Sequence, residues 1–174
     1  DSGSLLQATD LWSPSPPSTC SRPMPATTPA RAPSSPESPA ARVAKRLGAA
    51  RAEEGAYVWR ELMETGAVIC NGTDAPVEDV SAIDSYYSTV SRVLKDGSVF
   101  YPDQRMSREE ALASYTINGA YAGFEEDIKG SLTPGKLADV TVLSQDILTI
   151  PEDDIPATEV VYTIVGGKVA YRKQ

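Results

Sequence analysis

Ala67-Val68-Ile69-Cys70 is the stretch that most restricts the fold. Four apolar residues run without polar alternation, and Val68 and Ile69 are β-branched. Such a run suits a strand covered on both faces, as in a parallel sheet flanked by helices. It is followed by an abrupt polar turn, Asn71-Gly72-Thr73-Asp74-Ala75-Pro76-Val77. Asp74 therefore stands just past the carboxyl end of the strand, where parallel α/β folds place their chemistry. An aspartate before Pro76 is equally at home as a turn or capping residue, so position alone leaves both roles open.

Helical patterns flank this strand. Residues 42–65 are rich in Ala, Arg, Glu and Leu, and Gly48 and Gly55 divide them into two predicted helices. Gly66 sits where a helix stops on glycine. Beyond Asp74, Ser81 or Asp84 can cap a helix whose face is Ile83, Tyr87, Val90 and Leu94, ended by Asp96-Gly97. A loop over 97–106 follows. Ser107 and Glu110 then form a capping box for a helical region up to Tyr121, with Leu112 and Tyr115 inward and a possible break at Asn118-Gly119. From Gly130 onward the pattern is extended. Strands are predicted over 139–143, 158–165 and 168–171, the last two joined by Gly166-Gly167 as a hairpin.

The amino-terminal stretch has another character. Residues 1–41 hold nine of the fourteen prolines, nine serines and only five charged residues. This composition predicts a segment that buries too little apolar surface to fold. Pro16-Pro17 makes it a weak candidate ligand for a proline-reading partner.

Composition excludes several functions. Net charge is −8, which disfavours nucleic acid and anionic membrane as partners. No apolar run approaches the roughly 18 residues of a membrane span, and a cytoplasmic location is the expectation. Cys20 and Cys70 lie in contexts too different to predict a disulfide. The chain has no histidine, which excludes a self-contained histidine triad or histidine-ligated metal site. Gly130, Gly135 and Lys136 mimic the spacing of a phosphate loop, but Leu137 replaces the required Ser or Thr and a strand follows instead of a helix. A turn at Pro134-Gly135 is the better reading, with Asp139 opening the strand. Arg60 and Arg92 are candidates for gripping a substrate carboxylate, with solvation on a helix surface as their default. Tyr57 and Trp59 read as packing residues.

Several motifs, in order, carry a resemblance. They are Lys45-Arg46-Leu47-Gly48, Gly55-Ala56-Tyr57-Val58-Trp59-Arg60, Gly72-Thr73-Asp74-Ala75-Pro76-Val77, Glu110-Ala111-Leu112, Tyr115-Thr116-Ile117-Asn118, Gly130 through Asp139, and Thr163 through Val169. Together they resemble the carboxyl-terminal part of a metal-dependent amidohydrolase, of the amidohydrolase-3 branch that includes N-substituted formamide deformylases. The resemblance implies an α/β fold: the terminal part of a (β/α)8 barrel over 42–129 and β-sandwich strands over 130–174, preceded by a disordered 1–41.

It further implies that Asp74 is the catalytic, metal-facing aspartate of barrel strand 8, accepting a proton from the attacking water. The cofactor implied for the intact family is a divalent metal, zinc being expected, and the substrate a small-molecule amide or formamide. The family's histidine ligands have no counterpart here, so the chain alone is expected to bind no metal, to be inactive and to be marginally stable. A non-catalytic packing or interaction fragment is the alternative. The loss of family character upstream of Arg42 suggests a shifted reading frame, with a lineage-specific tail as the alternative.

Overall fold

The computed structural model describes residues 26–29, 39–73, 75, 76, 79–94 and 96–174. In chain order the elements are β1 (Ala26–Pro29), α1 (Pro39–Leu47), α2 (Ala49–Gly55), α3 (Trp59–Glu64), β2 (Ile69–Gly72), α4 (Ala82–Ser91), α5 (Arg108–Tyr115), α6 (Ile117–Ala122), β3 (Val140–Leu143), β4 (Val160–Val165) and β5 (Lys168–Arg172). Short 3-10 turns cover Pro102–Gln104 and Glu152–Ala157.

The predicted parallel strand is present, and it has a partner inside the chain. β1 and β2 pair in parallel, from Ala26 opposite Ile69 to Pro29 opposite Gly72. This corrects the expectation of a non-folding 1–41 at residues 26–29, and α1 likewise begins at Pro39. Thr27 and Thr28 supply β-branched residues between the prolines, which a compositional reading passes over. The Pro16-Pro17 ligand reading and Cys20 lie outside the described residues. Cys70 is a buried free thiol.

β2 starts two residues later than predicted because the preceding helix closes on itself. The Gly66 amide bonds the Met63 carbonyl at 2.8 Å, and the Ala67 amide bonds the Leu62 carbonyl at 3.3 Å. Gly66 carries the left-handed φ of 88°. This double bond past a glycine consumes residues 66 and 67 in the exit from α3.

α4 is capped by Ser81, whose side chain accepts from the Asp84 amide at 3.2 Å. It ends at Ser91, earlier than predicted, because Arg92 turns left-handed with φ 54°. The chain then folds back in a short hairpin. Val93 bridges Val99, and the Phe100 amide reaches the Arg92 carbonyl at 2.9 Å. Asp96-Gly97 is the tip of that hairpin: Asp96 Oδ1 accepts from the Ser98 amide at 3.0 Å, and Gly97 has φ 81°. Leu94 therefore does not extend the α4 face.

The capping box on α5 is present in full, with Ser107 and Glu110 bonding each other's backbone amides at 3.2 and 2.7 Å. The break before α6 falls at Thr116, with φ −126° and ψ −95°, and not at Asn118-Gly119.

β3, β4 and β5 form an antiparallel sheet in that order. Gly166 and Gly167, at φ 56° and 76°, make the tight turn between β4 and β5. Asp139 Oδ1 accepts from the Gly166 amide at 2.7 Å, tying the strand opening to that turn.

One apolar core joins these parts. Ile69, Tyr86, Val90, Met106, Ala111, Ile147 and Ile155 are buried together, with Trp59, Leu62, Ile83, Tyr87, Leu112 and Tyr115 packed around them. Ile147 and Ile155, from the 130–174 segment, share this core with residues of the helical region. No helix among the described residues is long and apolar enough to cross a membrane.

Candidate active site

The predicted site is the carboxyl end of β2. Asp74 itself lies outside the described residues; it follows the strand's last residue, Gly72, by two positions. The strand end that leads to it is held by a polar network from three helices.

Asn71 is the centre of that network. Its Nδ2 donates to Ser114 Oγ at 2.9 Å and approaches Thr89 Oγ1 at 3.4 Å. Ser114 Oγ donates in turn to the Ala111 carbonyl at 2.6 Å, and Thr89 donates to the Ser85 carbonyl at 2.9 Å. One residue earlier, the Cys70 thiol donates to the Asn118 carbonyl at 3.1 Å. Asn118 Nδ2 in turn donates to the Ile69 carbonyl at 2.9 Å. Strand positions 69, 70 and 71 are thus each bonded to a helix: Asn71 to α4 and α5, Ile69 and Cys70 to α6.

Burial explains the local electrostatics. Ser85 and Ser114 are at most 1% exposed. Burial pushes the Tyr115 phenol up to about 12, opposed by the neighbouring Thr89 and Ser85 hydroxyls. Burial also raises the Cys70 thiol, which is the opposite of what an activated nucleophile needs. These groups are neutral at pH 7 and do not themselves supply acid or base chemistry. Their role is to fix the strand end.

The second layer is a clamp between α3 and α5. Arg60 Nη1 and Nη2 donate to the two Glu110 carboxylate oxygens at 2.8 and 2.6 Å, and Nη2 also reaches the Arg105 carbonyl at 2.8 Å. Arg60 is therefore engaged, not a free grip for substrate. Arg92 departs from its expected solvated state: it is only 8% exposed. Tyr57 packs edge-to-face on Trp59 at 5.9 Å and on Phe100 at 5.8 Å, as expected of packing residues. Lys136 Nζ donates to the Glu126 carbonyl at 2.5 Å, so the glycine-rich stretch is a structural turn.

The sequence reading missed the roles of Asn71, Ser114, Thr89 and Asn118. Asn71 was legible as a polar residue ending an apolar run. Its partners lie 18 and 43 positions away, and no local pattern links them.

The metal implied by the resemblance can be tested against this donor set. The chain contains no histidine, and no group of three or more Cys, Asp or Glu side chains is gathered among the described residues. Zinc favours nitrogen and sulfur ligands. The described residues do not make up a metal site by themselves.

Comparison with known proteins fixes the family. The amidohydrolase family model matches residues 26–171. The chain belongs to the amidohydrolase family. The match begins at Ala26, so the family pattern reaches upstream of Arg42, where the sequence reading had placed its loss. Protein LONG AFTER FAR-RED 3 of Arabidopsis thaliana is 38% identical over 130 residues, which is 74% of this chain and 22% of that protein. N-substituted formamide deformylase of Arthrobacter pascens is 28% identical, over 66% of this chain and 21% of that enzyme. Among solved structures, an uncharacterised metal-dependent hydrolase from Pyrococcus horikoshii has a TM-score of 0.53 at 28% identity, covering 60% of this chain and 22% of that one. This amidohydrolase chain thus spans between a fifth and a quarter of the length of these relatives, and its mixed α/β structure resembles part of the Pyrococcus horikoshii hydrolase.

Proposed function

We propose that this chain is the terminal part of a (β/α)8 barrel with part of a β-sandwich, from a hydrolase of non-peptide carbon–nitrogen bonds. The substrate class is a small amide or formamide, by analogy with the deformylase relative. Asp74 is the proton-accepting carboxylate at the strand end and faces a divalent metal. The observation that supports this reading is a parallel-paired strand that ends at Gly72, two residues before Asp74 in the sequence, in a chain of this family. A carboxylate there takes the proton of the attacking water when within hydrogen-bond reach, a role that typically contributes about 10²–10⁴-fold in rate. The metal would supply Lewis-acid chemistry and an acidified water.

The donors for that metal are assigned to parts of such an enzyme outside these 174 residues. No step of the reaction is therefore built from this chain alone, and the isolated chain is proposed to be inactive. What its own residues contribute is the fixed strand end, through Asn71, Ser114 and Asn118.

A chimera tests the proposal. Residues 26–171 replace the matching carboxyl-terminal portion of the Arthrobacter pascens deformylase, and hydrolysis of an N-substituted formamide is followed by formate release. An active chimera whose Asp74→Asn variant loses about 10²–10⁴-fold in kcat, with its metal retained, supports the role of Asp74. An active chimera indifferent to Asp74→Asn removes Asp74 from the chemistry. Measurable turnover by the 174-residue chain on its own would overturn the assignment of the donors to other parts of the enzyme.

A further inference from the structure

The chain has two asparagines, Asn71 and Asn118, and a glycine follows each of them. Both belong to the network that holds the end of β2. Neither glycine is required by its backbone conformation. Gly72 and Gly119 are not among the glycines with positive φ, and a Cβ built on either meets nothing within 4 Å. What each glycine does supply is an unhindered amide nitrogen beside an asparagine side chain.

The chemistry open to such a pair is intramolecular. The glycine nitrogen attacks the asparagine Cγ. A bond forms from that nitrogen to Cγ, the bond from Cγ to Nδ2 breaks, and the proton of the attacking nitrogen leaves with Nδ2 as ammonia. Water then opens the cyclic imide. Opening at Cγ gives aspartate, and opening at the main-chain carbonyl gives isoaspartate, in which the chain runs through Cγ. Water is the only co-reactant, and nothing is oxidised or reduced.

The fold protects the two pairs unequally. Asn71 Nδ2 donates to Ser114 Oγ at 2.9 Å and approaches Thr89 Oγ1 at 3.4 Å, and the backbone of Asn71 and Gly72 is paired with Thr28 and Pro29 of β1. Asn118 Nδ2 has one hydrogen-bond partner among the described residues, the Ile69 carbonyl at 2.9 Å. Gly119 is exposed. It is the third residue of α6, in the turn whose amides find no partner within their own helix. The side chain of Thr116 does not cap that turn; its hydroxyl donates back to the Leu112 carbonyl at 2.8 Å.

We propose that Asn118-Gly119 is a spontaneous deamidation site whose conversion releases β2 from α6. An aspartate at this position has only oxygen to offer the Ile69 carbonyl, so acceptor faces acceptor where a hydrogen bond stood. An isoaspartate also turns the main-chain carbonyl that accepts from the Cys70 thiol into a free carboxylate, and it adds a backbone carbon to the six-residue α6. Ile69 loses its bond to α6 in either product, while Asn71 keeps its bonds to α4 and α5. The reaction is independent of Asp74 and of the proposed hydrolysis.

The test ages the 174-residue chain at mildly alkaline pH, folded and in urea. Conversion at each asparagine is followed by peptide mass mapping and by isoaspartyl methyltransferase labelling. In urea the two sites convert alike. In the folded chain Asn118 converts about tenfold faster than Asn71, the factor that one further hydrogen bond supplies against local opening. Gly119→Ala, which the open space at Gly119 admits, leaves the fold intact and slows conversion at Asn118 without slowing it at Asn71. The aged chain and the Asn118→Asp variant both show faster amide exchange at residues 69 and 70 and faster alkylation of Cys70. Three results overturn the proposal: conversion of Asn71 in the folded chain as fast as that of Asn118, conversion of Asn118 undiminished in Gly119→Ala, or a chain converted at residue 118 whose exchange at residues 69 and 70 is unchanged.

Discussion

Replacing Glu110 measures what the α3–α5 clamp contributes. The carboxylate does two things: it takes both prongs of Arg60 at 2.8 and 2.6 Å, and it accepts from the Ser107 amide at 2.7 Å to close the cap of α5. Glu110→Ala removes both. The carboxylate's share of the cap, its bond to the Ser107 amide, is worth about 1 kcal/mol, while the Ser107 side chain still caps the helix in the variant. The pair has two-pronged geometry, but its side chains are 30% and 38% exposed. Solvent screening therefore limits its share to about 0.5–1 kcal/mol. The expected loss is about 1.5–2 kcal/mol in all, by addition of the cap and pair values. A double-mutant cycle with Arg60→Met isolates the pair, with an expected coupling of about 0.5–1 kcal/mol. Urea unfolding followed by far-UV circular dichroism reads each value, with the slope unchanged.

The pH dependence follows from the same contacts. The Arg60 hydrogen bonds hold the Glu110 carboxyl below its usual range, helped by the Ser107 amide and opposed by partial burial. A carboxyl depressed in the folded state contributes stability above its unfolded pKa and loses it as pH falls through the folded one. The penalty of Glu110→Ala is therefore full near neutrality and shrinks below about pH 4. A coupling indistinguishable from zero at low salt, or a penalty that stays constant into strong acid, would refute the reasoning.

Two further substitutions test the packing around the strand end. Gly130→Ala puts a Cβ 2.7 Å from the Ala120 Cβ and 2.9 Å from the Ile117 Cα, at a φ of 88°; a loss of about 2 kcal/mol or more is expected in thermal unfolding, and an unchanged Tm would mean that this segment does not dock on α6. Asn118→Ala strips the Ile69 carbonyl of its side-chain donor; the expected loss is about 1–2 kcal/mol, with faster amide exchange confined mainly to β2, and unaltered protection of residues 69–72 would remove Asn118 from the strand's support.

What the sequence disclosed depended on the range of the interaction. The capping box of Ser107 and Glu110 and the Gly166-Gly167 turn were legible because each is written within a few residues. The bounds of β2 and α4 were less so. The strand yielded its first two predicted residues to the exit from α3. The helix stopped early because Arg92 is drawn inward to the Phe100 carbonyl, a tertiary contact that overrides a continuing apolar face. β1 was hidden by the prolines around it: its only local signal is Thr27-Thr28, and its pairing with β2 spans some forty positions, from Ala26 to Ile69.

The candidate site divides in the same way. The strand that leads to Asp74 was legible, since an apolar run closed by a polar turn needs only a dozen residues to recognise. Its support was not, because Asn71 meets Ser114 and Asn118 meets Ile69 across 43 and 49 positions. That support has a physical consequence. The bonds at residues 69, 70 and 71 run to helices of the same chain and require no metal. The strand end is therefore set by neutral hydrogen bonds in a buried, low-dielectric setting, where each satisfied bond is strengthened and each broken one is costly. Under the proposed function, the strand end at Asn71 is fixed in folding, before any metal donor from elsewhere arrives. That is the order of events preorganisation requires: the scaffold bears the ordering entropy in folding, and the later assembly of the site does not bear it again.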